Sequence, residues 1–211
     1  MTLATRISPA PAAMRKEPRQ ARSKATVASI VQAGAHILGA RGWAGFNTNE
    51  VADAAGVSIG SLYQYFPDKE ALVAAIRQRH LDDVLAVLPV PKTDDQPLAQ
   101  LVEELVAGMI AAHSIHPALH HVLLELAPPH AGGSAGAAQA AFDAQYLDRY
   151  RAIVAACPRA ARSRAEREVM VQVLSAAMEG VIHSGARSGS LQSSALKKEL
   201  VYLVCCYLAV Q

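Results

Sequence analysis

The stretch Asn47–Leu72, NTNEVADAAGVSIGSLYQYFPDKEAL, decides the fold of this chain. It predicts a short helix over residues 49–55, then a turn at Gly56, then a second short helix over residues 59–65 with Ser58 as its N-cap. Two short helices joined by a glycine turn form a compact head when a third helix packs across them. The apolar positions that would close such a core are Val51, Ala52, Ala55, Val57, Leu62 and Phe66.

A longer helix over residues 22–41 is predicted upstream of this stretch. Its apolar residues fall three and four positions apart on one face. Gly42 is placed to end it as a left-handed cap, after which Trp43 and Phe46 can fold back onto the core. Gly34 lies in the helix interior at a cost of about 1 kcal/mol against alanine, which a close helix crossing would explain. The apolar face consists of Val27, Ile30, Val31, Gly34, Ile37 and Leu38.

The rest of the chain also favours helices, because alanine and leucine abound and aromatic residues make up only 5%. The first short helix can be capped by Asn47 or Thr48, and Glu50 stands at capping-box spacing from Asn47, so both choices stay open. The sequence predicts an all-α protein of about nine helices. Beyond residue 66 they cover 67–87, 98–114, 117–126, 137–156, 164–186 and 193–209, separated by breaks at Pro89–Asp95, Pro128–Gly133, Pro158 and Gly185–Gly189.

Charge divides this chain into two parts. Residues 1–80 carry ten Lys/Arg against five Asp/Glu, whereas residues 81–211 carry ten against thirteen. A basic first third favours a polyanionic partner for that part. We expect a disordered basic tail over residues 1–20, a helix–turn–helix domain over 21–67, and a second helical domain over 68–211, with the helix 68–88 connecting the two.

Composition also limits the location of the protein. The three cysteines, Cys157, Cys205 and Cys206, have no metal-ligand spacing and are expected as thiols of a reducing cytosol, with redox sensing as the alternative. The apolar run Leu200–Val210 is too short to span a bilayer. We expect a bacterial cytoplasmic protein with no membrane partner.

The side chains left outside the first core are suited to contact DNA. The amides at the start of the helix 59–65 point along the positive end of its dipole, and Gly60 lets the backbone approach a phosphate or a base edge. Gln64 can make a bidentate contact to adenine, and Lys69 occupies a first turn that disfavours cations unless an anion lies nearby. Each residue alone could be ordinary surface, but the set favours DNA. It comprises Arg22, Lys24, Ser58, Ile59, Gly60, Ser61, Tyr63, Gln64, Tyr65 and Lys69.

The segment Ala54–Leu72, AAGVSIGSLYQYFPDKEAL, resembles the signature of the tetracycline-repressor (TetR) family, and the likeness extends over about residues 22–75. It implies a homodimeric repressor whose first three helices bind DNA and whose remaining helices bind a small ligand and the second subunit. Carried over by position, it implies phosphate contacts from Thr48, Tyr63, Tyr65 and Lys69 and base contacts from Asn49, Ile59, Ser61 and Gln64. Ile59 departs from the polar residue common there and offers an apolar contact to a thymine methyl.

Two late helices are suited to a subunit interface. Residues 200–210 are apolar all round, and the preceding helix carries an apolar stripe in which small Ala176 and Gly180 allow close approach. Burial in a four-helix dimer interface is one outcome, and burial inside one subunit is the other. In a dimer, two recognition helices about 34–36 Å apart would contact a near-palindromic operator. The stripe consists of Val169, Val173, Leu174, Ala177, Val181 and Ile182.

A histidine group raises the question of metal binding. His116 and His120 are four residues apart, as are His121 and Glu125, but Pro117 is expected to start a new helix between them. Core or solvated histidines and the polar lining of an organic ligand site are the alternatives, and we predict no metal and no cofactor. The candidate ligand-binding residues, some of which could simply be core, are Met109, His113, His121, Glu125, Tyr146, Met178, Glu179 and His183.

Three functions follow in order of preference. The first is a repressor released from its operator by a small, largely apolar effector. The second is a DNA-binding protein of the same fold without a small effector, which a solidly packed C-terminal domain would favour. The third, a metal-dependent enzyme using the group His113–Glu125, is disfavoured because the sequence contains no nucleophile elbow, phosphate loop or paired catalytic carboxylates.

Overall fold

The computed structural model describes residues 20–88, 96–126, 134–157 and 163–209. The predicted tail, the breaks at Pro89–Asp95 and Pro128–Gly133, and the break at Pro158 lie outside these residues, apart from Gln20.

Within these ranges all regular secondary structure is α-helical, which confirms the predicted fold class. The described residues form nine helices and no strand. The helices are α1 (Ala21–Gly45), α2 (Thr48–Ala54), α3 (Ile59–Tyr65), α4 (Lys69–Val87), α5 (Leu98–Ile115), α6 (Pro117–Glu125), α7 (Ser134–Ala155), α8 (Arg164–Arg187) and α9 (Ser194–Ala209).

The described residues pack as two units. The first comprises residues 20–80, 118–126 and 134–140, and the second comprises 81–88, 96–117, 141–157 and 163–209. Helices α4 and α7 each contribute to both units along their length. The functional division predicted at residue 68 is a separate matter from this packing and stays a prediction.

The first unit is built on a close crossing of α1 and α4. A Cβ atom added to Gly34 would lie 2.8 Å from Cδ1 of Ile76 and 3.7 Å from Cζ of Phe46, so the absence of a side chain allows the contact. This crossing accounts for the mid-helix glycine. The core of the unit includes the fully buried Ile30, Leu38, Val51, Leu62, Phe66 and Leu72.

The C-terminal end of α1 follows the predicted turn. Gly42 has φ 65° and ψ −177°, a left-handed conformation that breaks the helix and redirects the chain. Phe46 then folds back and is buried, whereas Trp43 keeps 36% of its surface exposed. Only one of the two aromatic side chains therefore joins the core.

The second unit contains α5, α8, α9 and the later part of α7. Helix α5 packs on α8 and α9, and its buried residues Val102, Leu105 and Val106 belong to the core of this unit. Ser163 and Glu166 form a reciprocal capping box at the start of α8. Arg151 of α7 forms a bidentate ion pair with Glu168 of α8, with nitrogen–oxygen distances of 2.6 and 3.1 Å.

Two helices of the second unit, α5 and α8, are long and apolar enough by length and composition to cross a membrane. Buried core helices meet the same criterion, and both helices contribute buried apolar residues to the core of this unit, among them Leu105 of α5 and Leu174 of α8. The sequence prediction considered the run Leu200–Val210 in this respect and not these two helices.

Candidate DNA-binding surface and effector site

The start of α2 is fixed by Asn47. Its side-chain oxygen accepts a hydrogen bond from the backbone N–H of Asn49 at 2.9 Å, so Asn47 is the N-cap and Thr48 is the first helical residue. Glu50 does not complete a capping box, because its carboxylate pairs with the Arg41 guanidinium at 2.6 Å. This ion pair joins the end of α1 to α2.

Helix α3 begins with a side-chain cap and an open surface. The Ser58 hydroxyl accepts a hydrogen bond from the Ser61 N–H at 3.1 Å, and the two hydroxyl oxygens lie 2.8 Å apart. A Cβ atom added to Gly60 would meet only Ser58 Oγ, at 3.9 Å. Ile59 is 37% exposed, and Gln64 is exposed one turn further on. The first turn of α3 is thus unobstructed within the described residues.

The hydroxyl groups of Thr48 and Tyr63 form one hydrogen-bonded pair across α2 and α3. Their oxygen atoms lie 3.1 Å apart, and Tyr63 is 41% exposed. Tyr65 lies differently, because its ring packs partly against the core of the first unit. The pair therefore links the two helices and faces solvent, whereas Tyr65 combines packing with partial exposure.

Lys69 has an intramolecular role that its sequence position alone does not reveal. Its ammonium group donates a hydrogen bond to the carbonyl oxygen of Trp43 at 2.8 Å and lies 3.9 Å from the centre of the Trp43 ring. The Phe46 ring centre is 5.6 Å away. A carbonyl and an indole face near the end of α1 thus stabilise a cation in the first turn of α4.

The other predicted DNA contacts are also at the surface of the first unit. Arg22 and Lys24 are exposed in the first turn of α1, and Asn49 is exposed at the start of α2. Their roles toward DNA stay predictions.

In the second unit, a buried hydrogen-bonded group joins α5 and α7. The Tyr146 hydroxyl donates to Met109 Sδ at 3.5 Å, and its oxygen lies 3.0 Å from that of the Tyr150 hydroxyl. Since Tyr146 has one proton, Tyr150 then donates to Tyr146. Burial above all raises the pKa of both tyrosines, which stay protonated.

Two imidazoles belong to the same region. The ring centres of His113 and His183 lie 5.0 Å apart, and His113 Nδ1 is 2.9 Å from the Met109 carbonyl oxygen. Burial lowers the pKa of both histidines below the ordinary 6.5. The neighbouring Glu179 opposes this shift at His183, but burial dominates. Both rings are therefore mainly neutral at pH 7.

Six of the eight predicted ligand-binding residues thus belong to the second unit, where Met178 is also fully buried. The other two, His121 and Glu125, lie on α6 with 57% and 69% of their side chains exposed and pair with each other at 3.4 Å. His116 lies between the end of α5 and the start of α6, so its spacing to His120 does not place the two on one helical face.

An exposed apolar face runs along α8 and α9. Val169 and Val173 are 57% and 47% exposed, and Tyr202 and Leu203 of α9 are 67% and 49% exposed. A Cβ atom added to Gly180 would meet nothing within 4 Å. The predicted stripe is therefore divided, because Leu174 and Ile182 belong to the core while the two valines face outward.

Comparison with known proteins gives a family for both parts of the chain. Residues 30–76 match the family model of bacterial regulatory proteins of the tetR family. Residues 97–208, more than half of the chain, match the tetracyclin repressor-like C-terminal domain. The chain belongs to the TetR family. The resemblance seen in Ala54–Leu72 is confirmed.

Individual proteins resemble parts of this TetR-family chain in sequence or in fold. A segment of 62 residues is 42% identical to the HTH-type transcriptional regulator RutR of Escherichia coli strain K12, and it spans 29% of this chain and 29% of that relative. The structure of a tetR-family regulator from Streptomyces coelicolor has a TM-score of 0.70 at 18% identity, over 85% of this chain and 78% of that one. A regulator from Rhodococcus sp. Rha1 has a TM-score of 0.68 at 18% identity, over 86% and 95%.

Sequence reasoning did not predict the contacts that α4 of this TetR-family chain makes with α6 and the residue that follows it. His80 of α4 is buried, and its Nε2 lies 2.9 Å from His120 Nδ1 on α6. Arg77 donates to the carbonyl oxygen of Leu126 at 2.6 Å, just beyond the end of α6. These contacts join residues 40 and 49 positions apart in the sequence, so no pattern of neighbouring residues predicts them.

Proposed function

We propose that this TetR-family protein is a transcriptional repressor of the bacterial cytoplasm, and not an enzyme. It binds a near-palindromic operator as a homodimer, and a small effector releases it. The observation that supports DNA binding most strongly is the unobstructed first turn of α3 around Gly60, flanked by exposed Ile59, Tyr63 and Gln64. Such a helix start fits the major groove, with its amides directed at the DNA.

The roles on DNA follow from side-chain chemistry. The hydrogen-bonded pair of Tyr63 and Thr48 offers one hydroxyl proton to a phosphate oxygen. Arg22 and Lys24 add charge-based contacts that carry no sequence information. Gln64 is the candidate for direct base recognition, because its amide can pair with the N6 and N7 edge of adenine. Ile59 contributes an apolar contact to a thymine methyl. Specificity therefore depends on few residues, and affinity on many.

The homodimer is supported by the exposed face of α8 and α9. Exposed apolar side chains on these two helices, among them Val173, Tyr202 and Leu203, are unfavourable in water and are expected to be covered. Twofold pairing of this face would bury it and would place two copies of α3 for two half-sites. The spacing of these copies is then the quantity that an effector changes.

Effector release is supported by the continuity of α4, which contributes to both packing units. A ligand bound in the second unit that favours a different arrangement there would shift α4 and, through it, α3. The coupling free energy equals at most the difference between the affinities of the ligand for the two states.

A second candidate is a TetR-family DNA-binding protein that responds to no small molecule. The observation that favours it is that Met109, Tyr150 and Met178 have at most 1% of their surface exposed. An effector must displace such side chains in order to reach them. A chain whose operator complex is insensitive to every compound that binds the second unit would support this candidate.

Selection of binding sites from random double-stranded DNA tests the proposal directly. We expect the wild-type protein to enrich a near-palindrome. Gln64→Ala should relax the preference at one position of each half-site by about 1–3 kcal/mol. Tyr63→Phe should instead weaken binding to all sequences. Gln145→Ala, the same change at an exposed residue of α7, is the matched control. It should change neither the base preference nor the affinity for DNA. Failure to enrich any sequence would refute the proposal.

A further inference from the structure

Trp43 provides both of the groups that hold the Lys69 ammonium. The Lys69 Nζ atom lies 2.8 Å from the Trp43 carbonyl oxygen and 3.9 Å from the centre of the indole ring. These contacts engage at most two of the three N–H donors of the ammonium group. Among the described residues, Lys69 forms no ion pair and no second hydrogen bond. At least one N–H is therefore left for an acceptor outside the chain.

The backbone that carries this anchor is fixed by its neighbours. Gly42 turns the chain with φ 65°, and the Phe46 N–H donates to the Trp43 carbonyl oxygen at 3.3 Å. Phe46 is buried in the core of the first unit. The Trp43 carbonyl oxygen thus accepts one hydrogen bond from the backbone and one from Lys69, which uses both of its lone pairs. The ammonium group is therefore held against a rigid part of the fold.

A lysine that is already held binds an anion at a lower entropic cost than a mobile one. Lysine has a flexible four-carbon stem, and ordering it is among the larger side-chain entropy losses in proteins. The two contacts with Trp43 restrict Lys69 before DNA arrives. The Trp43 residue keeps 36% of its surface exposed, so a phosphate group can approach from solvent. Preorganisation of this kind raises affinity without any new contact.

We propose that Trp43 is a positioning residue for DNA binding, which holds the Lys69 ammonium so that a remaining N–H meets a phosphate oxygen of the operator. A carbonyl oxygen and an aromatic face orient a cation without cancelling its charge, whereas a carboxylate would cancel it. The charge of Lys69 thus stays available to DNA. This inference rests on the proposed function, and it gives a role in DNA binding to a residue that lies outside α2 and α3.

Ring-fluorinated tryptophan tests this role with little change of shape. Because the chain contains one tryptophan, global incorporation of singly or triply fluorinated tryptophan alters position 43 alone. Fluorine withdraws electron density from the ring face and weakens its attraction for a cation. We expect the affinity for the operator, measured by fluorescence anisotropy of labelled DNA, to fall stepwise with fluorination. The triply fluorinated protein should lose about threefold per subunit and about tenfold per dimer, which corresponds to ~1.4 kcal/mol.

The same series in a Lys69→Met background distinguishes positioning from packing. Without the ammonium group the ring has no cation to hold, so fluorination should leave the affinity for the operator unchanged. Trp43→Leu keeps the carbonyl acceptor and removes the aromatic face, so it should weaken binding about as much as triple fluorination. Trp43→Phe should restore most of the affinity. If Trp43→Leu does not fold, the fluorinated proteins still decide the question.

Two results would overturn the positioning role. One is an affinity for the operator that does not depend on fluorination, or that falls equally in the Lys69→Met background. The other is tighter binding on fluorination, which would show that Trp43 withholds the ammonium group from DNA. In both cases the unmodified protein still binds its operator, so the proposed function stands. A wild-type protein that binds no operator would remove the proposed function and this inference together.

Discussion

Replacement of Lys69 by methionine separates two roles that the sequence and the structure assign to one side chain. The TetR resemblance gives Lys69 a phosphate contact, whereas the structure engages its ammonium group with the carbonyl and the ring of Trp43. Methionine keeps the apolar stem and removes both the charge and the donor. The substitution therefore leaves packing nearly unchanged and removes the two polar interactions together.

The contact geometry sets the magnitude of the stability change. A charged hydrogen bond such as the one from Lys69 to the Trp43 carbonyl contributes about 1.5–3 kcal/mol, and an exposed cation–π contact about 0.5–1 kcal/mol. Since Trp43 is 36% exposed, water can replace part of the lost donation to its carbonyl. We expect Lys69→Met to lower the free energy of unfolding by about 1.5 kcal/mol and the Tm by roughly 3–6 °C.

Urea unfolding at a fixed protein concentration measures this change, with the fluorescence of Trp43 as a local reporter, because the chain contains one tryptophan. Loss of the cation above the ring should also alter the emission of the folded state. A Lys69→Met protein as stable as the wild type would refute the structural role of this contact.

DNA binding tests the other role of Lys69. Each phosphate contact contributes about 0.9 to the slope of the logarithm of the binding constant against the logarithm of the salt concentration. Lys69→Met should flatten this slope by about one unit per subunit. Lys24→Met is the control, since Lys24 is exposed. This variant should flatten the salt dependence of DNA binding without lowering the free energy of unfolding. An unchanged slope in Lys69→Met would show that the ammonium group serves the fold alone.

Three further predictions address the rest of the molecule. Gly60→Ala meets only Ser58 Oγ at 3.9 Å, so it should stabilise α3 by up to about 1 kcal/mol in thermal unfolding while operator affinity falls, because the methyl group occupies space that DNA needs. Val173→Asp should dissociate the homodimer in analytical ultracentrifugation at micromolar concentration without unfolding the subunit, since Val173 is 47% exposed. The free energy of unfolding should fall as the pH drops below about 6.5, by up to about 1.4 kcal/mol per pH unit for His113. Burial lowers the pKa of His113, so the unfolded chain binds more protons than the folded chain in this range. A urea midpoint that does not change with pH across this range would refute the prediction.

The local parts of the fold could be predicted from the sequence. The bounds of α3 agree with those predicted from Ser58 and the apolar pair Leu62 and Phe66. The break at Gly42 and the close approach at Gly34 were also predicted, because a left-handed residue and a missing side chain leave a clear signal in a helical pattern. Each of these features depends on neighbours within a few residues along the chain.

The remaining features depend on contacts between distant residues. The capping-box spacing of Asn47 and Glu50 is present in the sequence, yet Arg41 takes the Glu50 carboxylate, because a fixed charge pair competes with a bond to a backbone amide. The position of α6 in the first unit was likewise not predicted. A Cβ atom at Gly39 of α1 would lie 3.0 Å from the backbone nitrogen of Leu119, a contact that spans 80 residues.

The candidate effector site also could not be predicted from spacing along the sequence alone. The spacing of His121 and Glu125 is that of a helical pair, and they do form one, but on a solvated face where 57% and 69% of their side chains are exposed. Glu179 and His183 have the same spacing on α8 but are partly buried, and the His183 ring centre lies 5.0 Å from that of the buried His113 on α5. Spacing along a helix is identical in the two cases, so only the packing of α5 and α7 distinguishes a surface pair from a polar group in a core.

The Thr48–Tyr63 pair indicates how one motif can serve both folding and DNA binding. Two hydroxyl groups contain two protons, and one of these is used in the hydrogen bond between them. The other proton remains available to a phosphate oxygen, and the hydrogen bond that its own oxygen accepts restricts the directions in which it can point. The bond that joins α2 to α3 therefore also orients the donor, so that less conformational freedom is lost on binding than two independent side chains would lose.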